Sequence, residues 1–384
     1  MRFLVLSVTA GNGHHAMGNA VIEQLNKDGH ETKIVDYLRP HTKLRAKLAH
    51  EWYFKALKYF NKPISKLYLH MLDRDPKKHA KINAFTYMTS SKKANQNIEK
   101  QIEEFNPDFI YCTHIYTAYR VSKLKEEGKL QNVKTFFIVS DYELIPYIEY
   151  ALNIDYVLTP TTDLHKKLID IGFDEKKLLP FGITVNSKFS THKQSKEATR
   201  LSLGLKPNLP TFMFMNGGVG FGNTLKVIKE ISKIKDYEYQ LIIINGKNEK
   251  MKNKIDKYLK QSNITNCLNI GYCTNVDEIM DASDLLIGKI GGVAVAEAFN
   301  KGLPILVSGN APFQEWSNVL YLGEKNAIKY AKNEEETKDF LIEILKDFNK
   351  LEIMKENVRK IAKPNATKDF ATFMKSLIML KEGQ

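Results

Sequence analysis

Twice along this chain of 384 residues, short β-branched and aromatic runs alternate with longer helical stretches, and this double alternation constrains the fold more than any other feature. Strands interleaved with helices form parallel sheets covered by those helices. The first series predicts strands at 3–8, 32–36, 109–112, 135–139 and 156–158. A polar stretch at 186–196, a helix and Lys206-Pro207-Asn208-Leu209-Pro210 then break the pattern, which marks a domain boundary. The second series predicts strands at 211–215, 241–245, 268–270, 285–287 and 305–307. Phe340, Leu341, Ile344 and Leu345, then Phe370, Phe373, Met374 and Leu377 after Pro364, predict closing helices. The expectation is an α/β protein of two doubly wound lobes, 1–187 and 188–365, with a final helix at 366–384 packing back on the first.

The length suits two cores, and 43% apolar with 26% charged residues leaves little room for disordered tracts. The apolar start, Phe3-Leu4-Val5-Leu6, is too short for a signal peptide and reads as a buried strand. No run approaches the roughly 20 apolar residues that cross a bilayer, so any membrane contact is expected to be peripheral, from the cytoplasmic side. Cys112, Cys267 and Cys273 lack zinc-ligand spacing and read as buried thiols in a reducing compartment.

The net charge of +13 is concentrated between residues 39 and 100, where Lys43, Arg45, Lys47, Lys55 and Lys58 interleave with Trp52, Tyr53, Phe54, Tyr59 and Phe60. Lysines beside aromatics fit the interface of an anionic membrane; a core-facing helix with a solvated basic side is the plainer alternative. The Asp73-Arg74-Asp75 triplet in this segment reads as surface charge. No helix-turn-helix, zinc or RNA-binding signature accompanies the charge, so no nucleic-acid partner is expected.

Three glycine loops carry the chemistry. Gly11-Asn12-Gly13-His14 joins the first strand to a helix, where helix amides point into the crevice at the sheet edge. The third glycine of a dinucleotide fingerprint is missing, and His14 fits either a base or a plain helix-start residue. Asn216-Gly217-Gly218-Val219-Gly220-Phe221-Gly222 bares its backbone N–H groups, as a diphosphate requires. The third loop is Gly288-Lys289-Ile290-Gly291-Gly292-Val293, with Glu297 further along the following helix and Gln314-Glu315 beyond. Paired glycines at a helix start suit a phosphate, and Glu297 suits two ribose hydroxyls or, alternatively, a bare surface.

The ordered set resembles the bacterial diacylglycerol glucosyltransferases and plant monogalactosyldiacylglycerol synthases, and more distantly the N-acetylglucosaminyltransferase of the lipid-linked peptidoglycan precursor. The residues that carry it are Gly11 to His14, Ser140-Asp141, Gly182-Ile183 with Phe189, the 216–222 loop, Gly271-Tyr272, Asp284-Leu285 and 291–318. The resemblance implies a GT-B enzyme: two Rossmann-like domains facing a central cleft, an N-terminal acceptor and membrane-facing domain, and a C-terminal nucleotide-sugar domain. It implies inverting transfer of a hexose from a UDP-sugar to a lipid acceptor, diacylglycerol foremost, without metal or other cofactor. His14 and Asp141 fall at catalytic positions on the acceptor side. Gly13, Gly217, Gly218, Gly220, Tyr272, Lys289, Gly291, Gly292, Val293, Glu297, Gln314 and Glu315 fall at nucleotide-sugar positions. A UDP-sugar epimerase or hydrolase of the same fold, and a non-catalytic nucleotide-regulated membrane-binding protein, are the rival expectations.

Overall fold

A computed structural model describes residues 1–9, 12–37, 92–215, 224–309 and 315–382. The chain divides into two compact units, Met1–Ser187 with Asn365–Gln384, and Lys188–Ala311 with Glu315–Pro364. Most of the basic aromatic segment, 39–91, lies outside the described residues, as does the 216–222 loop.

The first unit is built on a parallel sheet of six strands: β1 (Arg2–Ser7), β2 (Glu31–Asp36), β3 (Phe109–Cys112), β4 (Lys134–Ile138), β5 (Tyr156–Leu158) and β6 (Leu178–Leu179), in the order β2-β1-β3-β4-β5-β6. Leu6 pairs with Val35 on one side and Cys112 on the other, so β1 is central and buried on both faces. That is why its apolar run is continuous rather than alternating. The helix Gly13–Lys27 crosses β1 closely at Gly18, where an added Cβ would stand 2.7 Å from Val5 Cγ1. Gly18 thus supplies the close helix–strand approach that the missing third fingerprint glycine would have supplied.

The helix Ala366–Glu382 belongs to this unit and is anchored there by packing and hydrogen bonds. Phe370 is fully buried, its ring 5.1 Å from Tyr111 and 5.2 Å from Phe136. Burial of such a side chain contributes about 1.5–3 kcal/mol. Thr367 adds specificity: its hydroxyl donates to Val185 O at 2.7 Å and accepts from Val185 N at 3.1 Å.

The second unit repeats the plan with β7 (Thr211–Met215), β8 (Gln240–Ile244), β9 (Cys267–Ile270), β10 (Leu285–Gly288), β11 (Ile305–Ser308) and β12 (Ile328–Ala331), all parallel, in the order β12-β11-β10-β7-β8-β9. Its core gathers Phe212, Phe214, Leu241, Ile243, Leu285, Ile287 and Leu306. The two strands absent from the sequence-based series, β6 and β12, are short edge strands with too few residues to show a pattern. Cys112 is buried as expected, whereas Cys267 and Cys273 are only partly buried.

Strand order reverses between β1 and β3 in the first sheet and between β7 and β10 in the second. Ligands of open α/β sheets bind beyond the carboxyl ends of the strands at such reversals. The loops after β1, β3, β7 and β10 are therefore the places where chemistry is expected. Among the described residues no helix is long and apolar enough to cross a membrane.

Candidate active site

At the reversal of the first sheet, the loops after β1 and β3 bring two histidines together. His14 sits in the first turn of Gly13–Lys27, and its Nδ1 lies 2.6 Å from Thr113 O. A carbonyl only accepts, so Nδ1 carries the proton and Nε2 is the basic nitrogen of the neutral ring. Burial lowers the His14 pKa to about 4, against the Thr113 bond, which raises it, and with a small push from His15. The ring is neutral in ordinary buffers.

His114 caps the helix Ile115–Glu126, its Nδ1 accepting from Tyr116 N at 3.1 Å. This places the proton on Nε2 in its neutral form. Its ring stands edge-on to His14, with centroids 4.7 Å apart, and burial with the neighbouring His14 holds its pKa well below the usual histidine range. Sequence reading passed over His114. The available signal was a histidine directly after the third strand, at a sheet reversal visible only once strand order is known.

Thr9, just before this loop, is tied down from the side. Thr9 N donates to Asp36 Oδ1 at 3.1 Å, the Thr9 hydroxyl donates to Asp36 Oδ2, and His15 Nε2 lies 2.9 Å from Thr9 Oγ1. Asp36, at the end of β2, thus holds Thr9. Asp141 follows β4 and accepts from Ser140 Oγ at 3.3 Å. Downstream, Tyr147 holds a left-handed φ of 70°, a conformation rare outside glycine, at the start of the short helical turn Ile148–Ala151.

In the second unit, β10 ends at Gly288, and Gly291 caps the helix Gly292–Asn300. No side chain caps that helix and no acid lies in its first turn, so the amides of Gly292 and Val293 face outward with the positive end of the helix dipole. Lys289 adds a cation there. Glu315 reaches into this corner: Oε2 accepts from Ile290 N at 3.4 Å, and Oε1 lies 3.8 Å from Lys289 Nζ. Fully buried Asn318 donates to Ile290 O at 3.3 Å and fixes the loop from behind.

Glu297 lies on the same helix, partly buried, and burial raises its pKa to about 7, with Lys188 pulling it down and Asp277 pushing it up. The bare-surface alternative for Glu297 is thereby corrected. Lys188 and Asp277 lie 3.0 Å apart, and sequence reading named neither. Lys188 falls in the polar stretch at the domain boundary, where no periodicity singles out one lysine from another. Tyr272 is 67% exposed after β9, with Lys247 Nζ 5.7 Å from its ring centre. Gly217, Gly218, Gly220 and Gln314 lie outside the described residues. Among those described, no group of three His, Cys, Asp or Glu side chains is placed to hold a metal ion.

Two family models match the chain in succession: monogalactosyldiacylglycerol (MGDG) synthase over residues 14–185, and the glycosyltransferase family 28 C-terminal domain over residues 212–377. The chain is a GT-B glycosyltransferase related to the diacylglycerol hexosyltransferases. A processive diacylglycerol beta-glucosyltransferase from Bacillus pumilus is 25% identical over 366 residues, 94% of this chain and 91% of that protein. The chloroplastic monogalactosyldiacylglycerol synthase 1 of Arabidopsis thaliana is 24% identical over 394 residues, 100% of this chain and 72% of the plant protein. Among solved structures, a UDP-GlcNAc 2-epimerase from Neisseria meningitidis bound to UDP-GlcNAc superposes with a TM-score of 0.62 at 16% identity, covering 98% of this chain and 100% of the epimerase. That likeness concerns fold alone. The glycosyltransferase relationship rests on the sequence matches to both units, which favour transfer over the epimerase and non-catalytic alternatives.

Proposed function

We propose that this hexosyltransferase moves a hexose, with inversion, from a UDP-sugar to a hydroxyl of diacylglycerol. The observation that carries the reading is the pairing within one chain of an MGDG-synthase match on the first unit with a family 28 C-terminal match on the second. The first unit would serve the acceptor and the second the nucleotide sugar. The poised His14 ring and the Gly291-to-Glu297 corner supply the groups each task needs.

In this reading His14 Nε2 takes the acceptor proton as the acceptor oxygen attacks the anomeric carbon. The bond from that carbon to the diphosphate breaks, and UDP leaves with the electron pair. Asp141 orients the acceptor or the imidazolium. The charge on departing UDP is met by Lys289, the Gly292 and Val293 amides and the glycines at 217, 218 and 220, with no metal ion in the scheme. Glu297 receives the ribose hydroxyls, while Gln314 and Glu315 receive those of the sugar. Tyr272 and Gly13 are assigned to the nucleotide-sugar set in this reading. The lipid acceptor places the protein on the inner face of the cell membrane, held peripherally by the basic aromatic segment 39–100; retention on anionic vesicles that is lost at high salt supports this, and no retention at low salt refutes it.

The test offers radiolabelled UDP-glucose, UDP-galactose and UDP-N-acetylglucosamine with diacylglycerol vesicles. A labelled glycolipid with one donor is the expected result. Sugar release without lipid product, or no turnover of any donor, overturns the reading.

A further inference from the structure

The His114 ring is held from three directions. Its Nδ1 accepts from Tyr116 N at 3.1 Å, the Tyr116 ring lies 4.4 Å away between centroids, and the His14 ring stands edge-on at 4.7 Å. A bond accepted at Nδ1 leaves the proton of the neutral ring on Nε2, so the atom His114 has to offer is an N–H donor. His14 is the reverse, with Nδ1 spent on Thr113 O and a lone pair left on Nε2. Neither Nε2 has a hydrogen-bond partner among the described residues, and no hydrogen bond joins the two rings. Neither is sealed in. Both residues are half-buried, and the fully buried side-chain atoms without a partner among the described residues belong to Asp28 and Arg120.

A donor and a bare ring nitrogen side by side make a two-point site. Nitrogens on rings 4.7 Å apart lie within the span of two neighbouring oxygens of one molecule, each at ordinary hydrogen-bond length. One of those oxygens must carry a proton to give to His14. The other need only accept. A donor placed on the attacking oxygen would draw on the lone pairs that form the new bond, so the His114 N–H suits the neighbouring oxygen instead. Diacylglycerol presents this combination: a free hydroxyl, and on the adjacent carbon an ester whose carbonyl accepts and never donates.

We propose that His114 is a specificity-determining residue for the acceptor: its Nε2–H donates to the ester carbonyl oxygen beside the hydroxyl whose proton passes to His14 Nε2. The proposal rests on the reading of diacylglycerol as acceptor and His14 as base. The bond from Tyr116 N and the two flanking rings keep the imidazole from turning, so the donor is in place before the lipid arrives and little ordering is left to binding. The same bond separates the tasks of the two histidines, because a His114 ring that took a second proton would lose its hold on Tyr116 N.

The experiment compares kcat/KM for a diacylglycerol and for the dialkyl ether glycerol of equal chain length, which keeps the hydroxyl and the chains but lacks both carbonyls. Both are presented in the same vesicles with radiolabelled UDP-glucose or UDP-galactose. Wild type should prefer the diacyl form by roughly tenfold, as expected for one buried donor left unpaired. His114→Asn keeps an acceptor for Tyr116 N, as N-cap residues do, and removes the distal donor; its preference should fall to within about twofold while its thermal midpoint stays close to that of wild type. His114→Gln carries an amide N–H out toward the Nε2 position and gives up the cap, so it should melt earlier and retain the preference. A preference that survives in His114→Asn, or is lost equally in both variants, assigns His114 to the cap alone and overturns the proposal. Glycolipid formed by wild type with no preference for the ester also overturns it and leaves the diacylglycerol reading standing. No labelled glycolipid from either acceptor is the separate outcome in which that reading itself fails.

Discussion

The Nδ1 of His14 lies 2.6 Å from the carbonyl oxygen of Thr113, and this one contact fixes Nε2 as the ring nitrogen without a proton in the neutral form. Because His14 is already neutral, its basic Nε2 needs no deprotonation before it accepts a proton. His14→Gln, which keeps polarity but loses the basic nitrogen, should lower kcat by about 10²–10⁴-fold while the Kd for UDP-sugar stays within a few-fold. His14→Ala combined with Asp141→Ala should abolish transfer. Full activity in the double variant would remove both residues from the mechanism.

Acid stability should follow from the same pair. His14 and His114 both have folded pKa values below the unfolded histidine value of 6.5, so the unfolded chain binds more protons between the two. Stability contributed by the neutral rings is complete above pH 6.5 and is lost progressively as pH falls toward 4. By pH 5 the His14 share of that loss is roughly 2 kcal/mol. Denaturant melts at pH 7 and pH 5 should show a smaller drop for His14→Gln than for wild type. Equal drops would show that His14 does not titrate as described.

Glu297 runs the other way. Its folded pKa of about 7 lies above the unfolded value, so the fold favours the protonated form and loses stability as pH rises from 4.5 through 7. Glu297→Gln should therefore raise the thermal midpoint at pH 8, by an amount corresponding to roughly 1–3 kcal/mol, while removing UDP-sugar binding. A lower midpoint at pH 8 would contradict the burial argument.

The second unit contains a buried ion pair whose removal should be costly. Arg200 Nη2 donates to Asp284 Oδ2 at 2.6 Å, Arg200 Nε to Ala282 O at 2.9 Å and Nη1 to Pro207 O at 2.8 Å. Asp284 also accepts from Lys196 and from Thr211 N. Asp284→Leu strands a buried guanidinium and is expected to cost about 3–5 kcal/mol in chemical denaturation, while Arg200→Met leaves Asp284 with Lys196 and Thr211 N and should cost less. Combining them should cost clearly less than the two single losses added together. Strict additivity would show that the pair is not coupled.

Most of the architecture was legible from residue order. Continuous apolar runs such as Phe3 to Leu6 and Leu241 to Ile244 declare central parallel strands, because a strand buried on both faces has no polar side to alternate with. The glycine pairs before helices marked the loops, and Glu297 stood out as an acid at a set distance behind one of them. Edge strands β6 and β12 did not declare themselves, since two or four residues with one exposed side carry too little pattern.

What sequence alone determined was the periodicity, the chain order of the loops and the residue types available for chemistry, all properties of neighbours along the chain. Tertiary structure decided which of those residues meet and in what charge state. His114 reaches His14 only because β3 lies beside β1, 99 residues separate His14 from the Thr113 carbonyl it binds, and Lys188 meets Asp277 only in the folded chain. Burial and through-space charge set the protonation of His14 and Glu297, and both depend on distances in three dimensions that no spacing along the chain specifies.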